Sequence, residues 1–180
     1  MSATNAEPQG IGGWLLLPAI GLILSPIRLA FAIYTQATVL VTVTTQPAFT
    51  EPGSAFYHPN WAGYAFASLA SSIALFAATL YLAWRFFTRS PKLPMLYIQW
   101  MLAVVALQWA DIAVVKHNGF PMVGMSDADL YRDLVRAVIA SAIWIPYFLY
   151  SRRVRNTFTD APATATAPRV EHREPAVDEW

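Results

Sequence analysis

Residues 61–84 read WAGYAFASLASSIALFAATLYLAW, an unbroken run without a charged side chain. A helix of about 20 apolar residues crosses the roughly 30 Å hydrocarbon layer of a bilayer. A helix that is apolar on every face belongs either at the centre of a large protein or in a membrane. With 180 residues the chain is too small for the first. Working outward, three more stretches of similar character occupy 13–35, 95–115 and 131–150. The sequence predicts an all-α fold: a membrane-embedded four-helix bundle spanning 11–158.

The basic residues orient it. No Lys or Arg separates the first two stretches, whereas Arg85, Arg89 and Lys92 follow the second and Arg152, Arg153 and Arg155 follow the fourth. Basic residues in short loops stay on the cytoplasmic side. Two clusters on one side, an even number of spans apart, predict both termini in the cytoplasm (N-in/C-in). Residues 159–180, rich in Ala, Pro and Thr and then mixed in charge, bury too little to order themselves and read as a disordered cytoplasmic tail. Residues 1–10 read as loose.

Composition agrees. Charged residues make up 13% and hydrophobic ones 56%, against a charged share near 25% in soluble domains. A net charge of +1 provides no field for nucleic acid, and the absence of cysteine excludes disulfides and thiolate chemistry. Ala30-Phe31-Ala32 resembles a signal-peptidase site, but no positive charge precedes the apolar run and Arg28 interrupts it, against the pattern of a cleaved leader. The first stretch is therefore expected to remain as a span, opened by Gly12-Gly13-Trp14 and bent by Pro18 and Pro26.

Between the first two spans, Thr38 to Thr44 alternates with β-branched residues as a strand would, or else continues the first helix; both readings stand. Helix two carries Gly63, Ala67, Ser71, Ala74 and Ala78 on one stripe, the small-residue pattern that lets membrane helices approach closely. That pattern predicts a packing seam, with a homodimer interface as its alternative. Ser126 is a candidate helix N-cap, with Asp129 as its capping-box partner.

Charged groups within spans are rare and mark sites or pairs. At 1.5 Å per residue, Arg28 lies roughly 22 Å, Asp111 roughly 24 Å and Arg136 roughly 22 Å from the inner surface. The shared level predicts that Asp111 accepts hydrogen bonds from Arg28, Arg136 or both, with Gln108 close by, and that Arg132 and Asp133 extend the network outward. As a clamp, this polar cluster locks three helices together. As an outward-facing cationic pocket, it holds an anionic lipid headgroup or a solute.

Catalysis finds little support. His58, His117 and His172 fall outside the spans, which leaves Ser68, Ser71 and Ser72 without a membrane histidine as base and excludes paired haem ligands. His58 and His117 share the outer side but lack an adjoining carboxylate motif for a metal. One intramembrane aspartate cannot form a two-aspartate protease dyad. No phosphate-cradling glycine loop is present. No metal and no cofactor is expected.

Three segments carry a family resemblance: Gly12-Gly13-Trp14-Leu15-Leu16-Leu17-Pro18 with Gly21-Leu22 and Pro26; Tyr57-His58-Pro59-Asn60-Trp61; and Ile143-Trp144-Ile145-Pro146-Tyr147-Phe148 with Ser151-Arg152-Arg153-Val154-Arg155-Asn156-Thr157-Phe158. Over about 11–158 the chain resembles the bacterial inner-membrane family called domain of unknown function 2569. The resemblance implies a four-span inner-membrane protein and no particular activity. Members tend to carry an acidic residue early in helix two; residues Ala65 to Ser72 contain none. The expected function is a non-enzymatic accessory or scaffold protein in the lipid bilayer, with a membrane protein or a second copy as partner. A small transporter or lipid-binding protein using the Arg/Asp cluster is the alternative. Arg152, Arg153 and Arg155 are expected to anchor the last span among anionic headgroups, each basic residue contributing around 1 kcal/mol, or to dock a cytoplasmic partner.

Overall fold

A computed structural model describes residues 11–120 and 126–158. A 3-10 turn, Gly13–Leu15, leads into α1 (Leu16–Thr45). Then follow the short α2 (Pro47–Thr50), α3 (Trp61–Phe87), α4 (Leu93–Asn118), α5 (Asp127–Tyr150) and the short α6 (Arg152–Thr157). Among the described residues there is no strand. Four of these helices are long and apolar enough to cross a membrane. In each, 17% or less of the most apolar stretch is buried inside the protein. So much outward apolar surface is tolerable only with lipid as the solvent.

The spans exceed their expected limits at nearly every end, and α1 does so most. The alternating stretch Thr38 to Thr44 is helical. The hydroxyls of Thr38, Thr42, Thr44 and Thr45 each donate to a carbonyl oxygen three or four residues back, at 2.6–3.0 Å. A β-branched side chain that hides its own polar group in this way is at home in a membrane helix, where no strand partner is available. Gly119, at φ 64°, closes α4 in the left-handed conformation that favours glycine. The Ser126–Asp129 capping pair, the N-terminal ten residues and the tail fall, in whole or in part, outside the described residues.

The helices pack in chain order, α1 on α3, α3 on α4 and α4 on α5, the up-and-down arrangement that short connections dictate. The core lies at the end carrying Arg85, Arg89, Lys92 and the three arginines of 152–155. There Leu15, Leu22, Phe86, Leu93, Phe148, Val154 and Phe158 form one buried cluster, and Tyr97 stacks on Phe148 with ring centroids 4.2 Å apart. The short α6 turns back across this end, burying Val154 and Phe158 while Arg152 and Arg155 stay exposed. One turn further in, Trp100 Nε1 donates to the buried hydroxyl of Thr79 at 3.0 Å, tying α4 to α3. At the opposite end Asn60 Nδ2 donates to Asn118 Oδ1 at 2.9 Å, and Trp61 stacks on Phe120. Between these two fastenings, α3 and α4 border a cleft.

Candidate cleft and the outward ion pairs

The gap between the fastenings is a cleft of about 650 Å³. Tyr64, Ser68, Ser71, Ser72 and Leu75 line it from α3, and Val104, Leu107, Gln108, Asp111 and Val114 from α4; Gln36 of α1 joins them. Positions three and four apart share a helix face, so both helices turn a continuous polar-containing face inward. The small-residue stripe on α3 plays a different part from the expected seam. Gly63, Ala67 and Ser71 border the cleft, while Ala74 and Ala78 face outward. A Cβ on Gly63 would meet no atom within 4 Å. These small side chains make space instead of closing it.

Within the cleft Tyr64 donates its hydroxyl hydrogen to Asp111 Oδ1 at 2.9 Å. Ser71 donates to the carbonyl oxygen of Ala67, so its hydroxyl hydrogen is used within its own helix. Among the described residues, the side-chain oxygens of Gln36 and Gln108 are buried with no hydrogen-bond partner. A buried acceptor left unsatisfied costs about 1–3 kcal/mol, and a native structure retains few of them. Both residues line the cleft, so its walls hold two acceptors without a partner.

The expected cluster of Arg28, Gln108, Asp111 and Arg136 divides into two. Gln108 and Asp111 lie in the cleft. Arg28 and Arg136 turn outward and pair with Asp133, not with Asp111. Arg28 Nη2 lies 3.0 Å from Asp133 Oδ2, and Arg136 Nη1 lies 3.5 Å from Asp133 Oδ1. Depth along a helix sets which groups share a level, and here it admitted both aspartates. Rotation about the helix axis selects between them, and it points Asp133 along the outer surface and Asp111 inward. The side chains of Arg28, Asp133 and Arg136 are 71%, 51% and 68% exposed, so no clamp is buried here.

The other sequence candidates are accounted for locally. His58 Nε2 lies 3.0 Å from the carbonyl oxygen of Asn118, and its ring packs on Phe120; it belongs to the fastening between α3 and α4. The basic segment 152–155 is divided in use. Arg153 lays its guanidinium against Gly12 and Gly13, whereas Arg152 and Arg155 remain exposed. Sequence reasoning passed over Tyr64 and Gln36. Tyr64, Ser68, Ser71 and Leu75 fall on one helix face and could have been read as lining; Gln36 lies just beyond the expected end of the first span at 35.

Comparison with known proteins gives the same architecture a context. Over residues 8–159 the chain matches the family described as "Protein of unknown function (DUF2569)". It is 35% identical over 159 residues to the inner membrane protein YdgK of Escherichia coli (strain K12), a match that covers 87% of this chain and 99% of that one. No solved structure matches it.

Proposed function

We propose, for a chain that belongs to the family of proteins of unknown function DUF2569, the role of a non-enzymatic accessory protein of the bacterial inner membrane that holds a small ligand between α3 and α4. The pair of buried, unpartnered amide oxygens of Gln36 and Gln108 carries this reading. A scaffold that only joined helices would fill such a gap with side chains. Catalysis is disfavoured by the same lining. Three serines border the cleft, and among the described residues no His, Lys or Arg lines it to serve as their base. Localisation in the inner membrane follows the relative in Escherichia coli. The gathering of Arg85, Arg89, Lys92, Arg152, Arg153 and Arg155 at one end supports that end, and both termini with it, on the cytoplasmic side.

Gly63→Leu tests the cleft. The added side chain enters open space, so the fold should survive. Native mass spectrometry of the protein released from its own membranes should show a small-molecule adduct in the natural chain that disappears from the variant. An identical adduct pattern in both would remove the reading.

A second reading rests on the outward ion pairs. One carboxylate shared by two arginines leaves the group net positive, and a guanidinium fork matches the geometry of a phosphate. Exposed ion pairs contribute only about 0–1 kcal/mol to stability, so binding suits this group better than bracing. An anionic phospholipid headgroup is the proposed occupant. In nanodiscs of mixed phosphatidylcholine and phosphatidylglycerol, Arg28→Gln with Arg136→Gln should abolish a retained phosphatidylglycerol. Retention at the natural level would count against it, and phosphate that is held without any lipid would redirect it to a free anion.

A further inference from the structure

We infer that the cleft takes a primary ammonium ion carried on an apolar body. The inference rests on the ligand-binding reading of the cleft given above and names the chemistry of what enters. Among the described residues, Asp111 is the only formally charged one lining the cleft. Its Oδ1 accepts the Tyr64 hydroxyl hydrogen, and among the described residues no donor is bonded to its Oδ2. Two further acceptors, the side-chain oxygens of Gln36 and Gln108, are buried without a donor. Gln108 and Asp111 stand one turn apart on the same face of α4, and Gln36 comes from α1. Two helices, α1 and α4, thus bring three acceptor oxygens and one negative charge to the lining.

A ligand for this lining has to bring donors and a positive charge together. A primary ammonium brings a positive charge and three N–H donors, with no acceptor of its own. A quaternary ammonium carries the charge without donors, and its methyl groups would hold the amide oxygens unsatisfied. An alcohol offers one donor and no charge. A carboxylate or phosphate would bring like charge to Asp111 with no cation in the lining to offset it. A cleft of about 650 Å³ lies within the usual range for small-molecule sites. Leu75, Val104, Leu107 and Val114 supply apolar walls for the remainder of the ligand, with Phe120 beside the opening fastened by Asn60 and Asn118.

Three matched probes test this with the full chain in phosphatidylcholine nanodiscs, binding to empty discs being subtracted: phenethylammonium, its N,N,N-trimethyl analogue and 2-phenylethanol. Equilibrium dialysis should show saturable binding of phenethylammonium at least tenfold tighter than that of either analogue. Asp111→Asn keeps the shape and an acceptor for Tyr64, and should weaken phenethylammonium at least tenfold with little effect on 2-phenylethanol. Gln108→Leu, which removes a polar group from the wall and should fold readily, should weaken it severalfold. No saturable binding of the amine, equal binding of the alcohol, or an unchanged affinity in Asp111→Asn would each overturn the inference. Its failure stays separable from that of the cleft. A neutral or anionic adduct lost in Gly63→Leu would refute the ammonium and leave the cleft as a binding site.

Discussion

Phe86→Ala is expected to destabilise the protein by about 2–4 kcal/mol, slightly below the range for buried phenylalanines in soluble cores. Phe86 is fully buried, and its ring centre lies 5.5 Å from that of Phe158. It stands where α3, α4 and α6 converge with Leu15, Leu93 and Val154. In a membrane, burying an apolar ring gains little from leaving water, because lipid tails are equally apolar. What the alanine loses is close packing, tens of contacts worth about 0.1–0.2 kcal/mol each, together with the cavity left in a site that four segments hold open. The adjacent Phe87 provides the control. It is 50% exposed, and in a bilayer its ring touches acyl chains that can follow a smaller side chain. Phe87→Ala should change stability by less than about 0.5 kcal/mol, as surface substitutions do. Unfolding in mixed detergent micelles at increasing dodecyl sulfate would measure both. Equal losses for the two neighbours would mean that the end of the bundle is not packed as described.

The spans were legible because crossing a bilayer is a one-dimensional requirement. Length and hydropathy along the chain suffice for it, and the runs around Trp61–Trp84 and Pro94–Val115 satisfy it without ambiguity. The shared depth of Arg28 with the charges of α5 was equally legible, since rise per residue fixes it. The identity of the partner was not. Asp111 and Asp133 approach the same level on neighbouring helices, and only the rotation of each helix about its axis separates an inward carboxylate from an outward one. Periodicity should have set that rotation, but α4 is apolar nearly all round and offers little contrast between its faces. Thr38 to Thr44 posed a different difficulty: β-branched residues suit a strand by local preference, and the back-bonded hydroxyls that reconcile them with a helix appear only once the helix exists.

The cleft was hidden for a related reason. Gly63, Ala67 and Ser71 at intervals of four have two physical outcomes, close approach of a neighbour or space beside one. Large residues on the facing helix decide which. Here the α3 and α4 faces border a cleft between the fastening at Trp61 and the one where Trp100 meets Thr79. A stripe read on one helix alone cannot distinguish these cases. The fastenings at both ends therefore do more than stabilise: they fix the separation at which the acceptors of Gln36, Gln108 and Asp111 border one space.

Substitution at Gly13 should show that the first and last segments of the bundle act as one unit. Gly13 adopts φ +55°, and a Cβ there would lie 2.5 Å from Nη1 of the Arg153 guanidinium, a steric overlap that one of the two would have to relieve. A left-handed conformation costs an L-residue about 1–2 kcal/mol, and a β-branched side chain is a genuine outlier there. Gly13→Ala is therefore expected to cost about 1–2 kcal/mol and Gly13→Val about 2–3 kcal/mol once displacement of Arg153 is added. Arg153→Ala separates the two contributions. In that background the steric part disappears and the backbone part remains, so the penalty for Gly13→Ala should fall but not vanish, and the cycle should show coupling of at least 0.5 kcal/mol, the level typical of residues in contact. Additive losses would place Arg153 elsewhere. The point reaches beyond stability, because Gly12-Gly13-Trp14 and Ser151-Arg152-Arg153 are two of the segments by which the chain resembles its family. If they meet as a structural joint, that resemblance reports how the bundle is closed at its basic end.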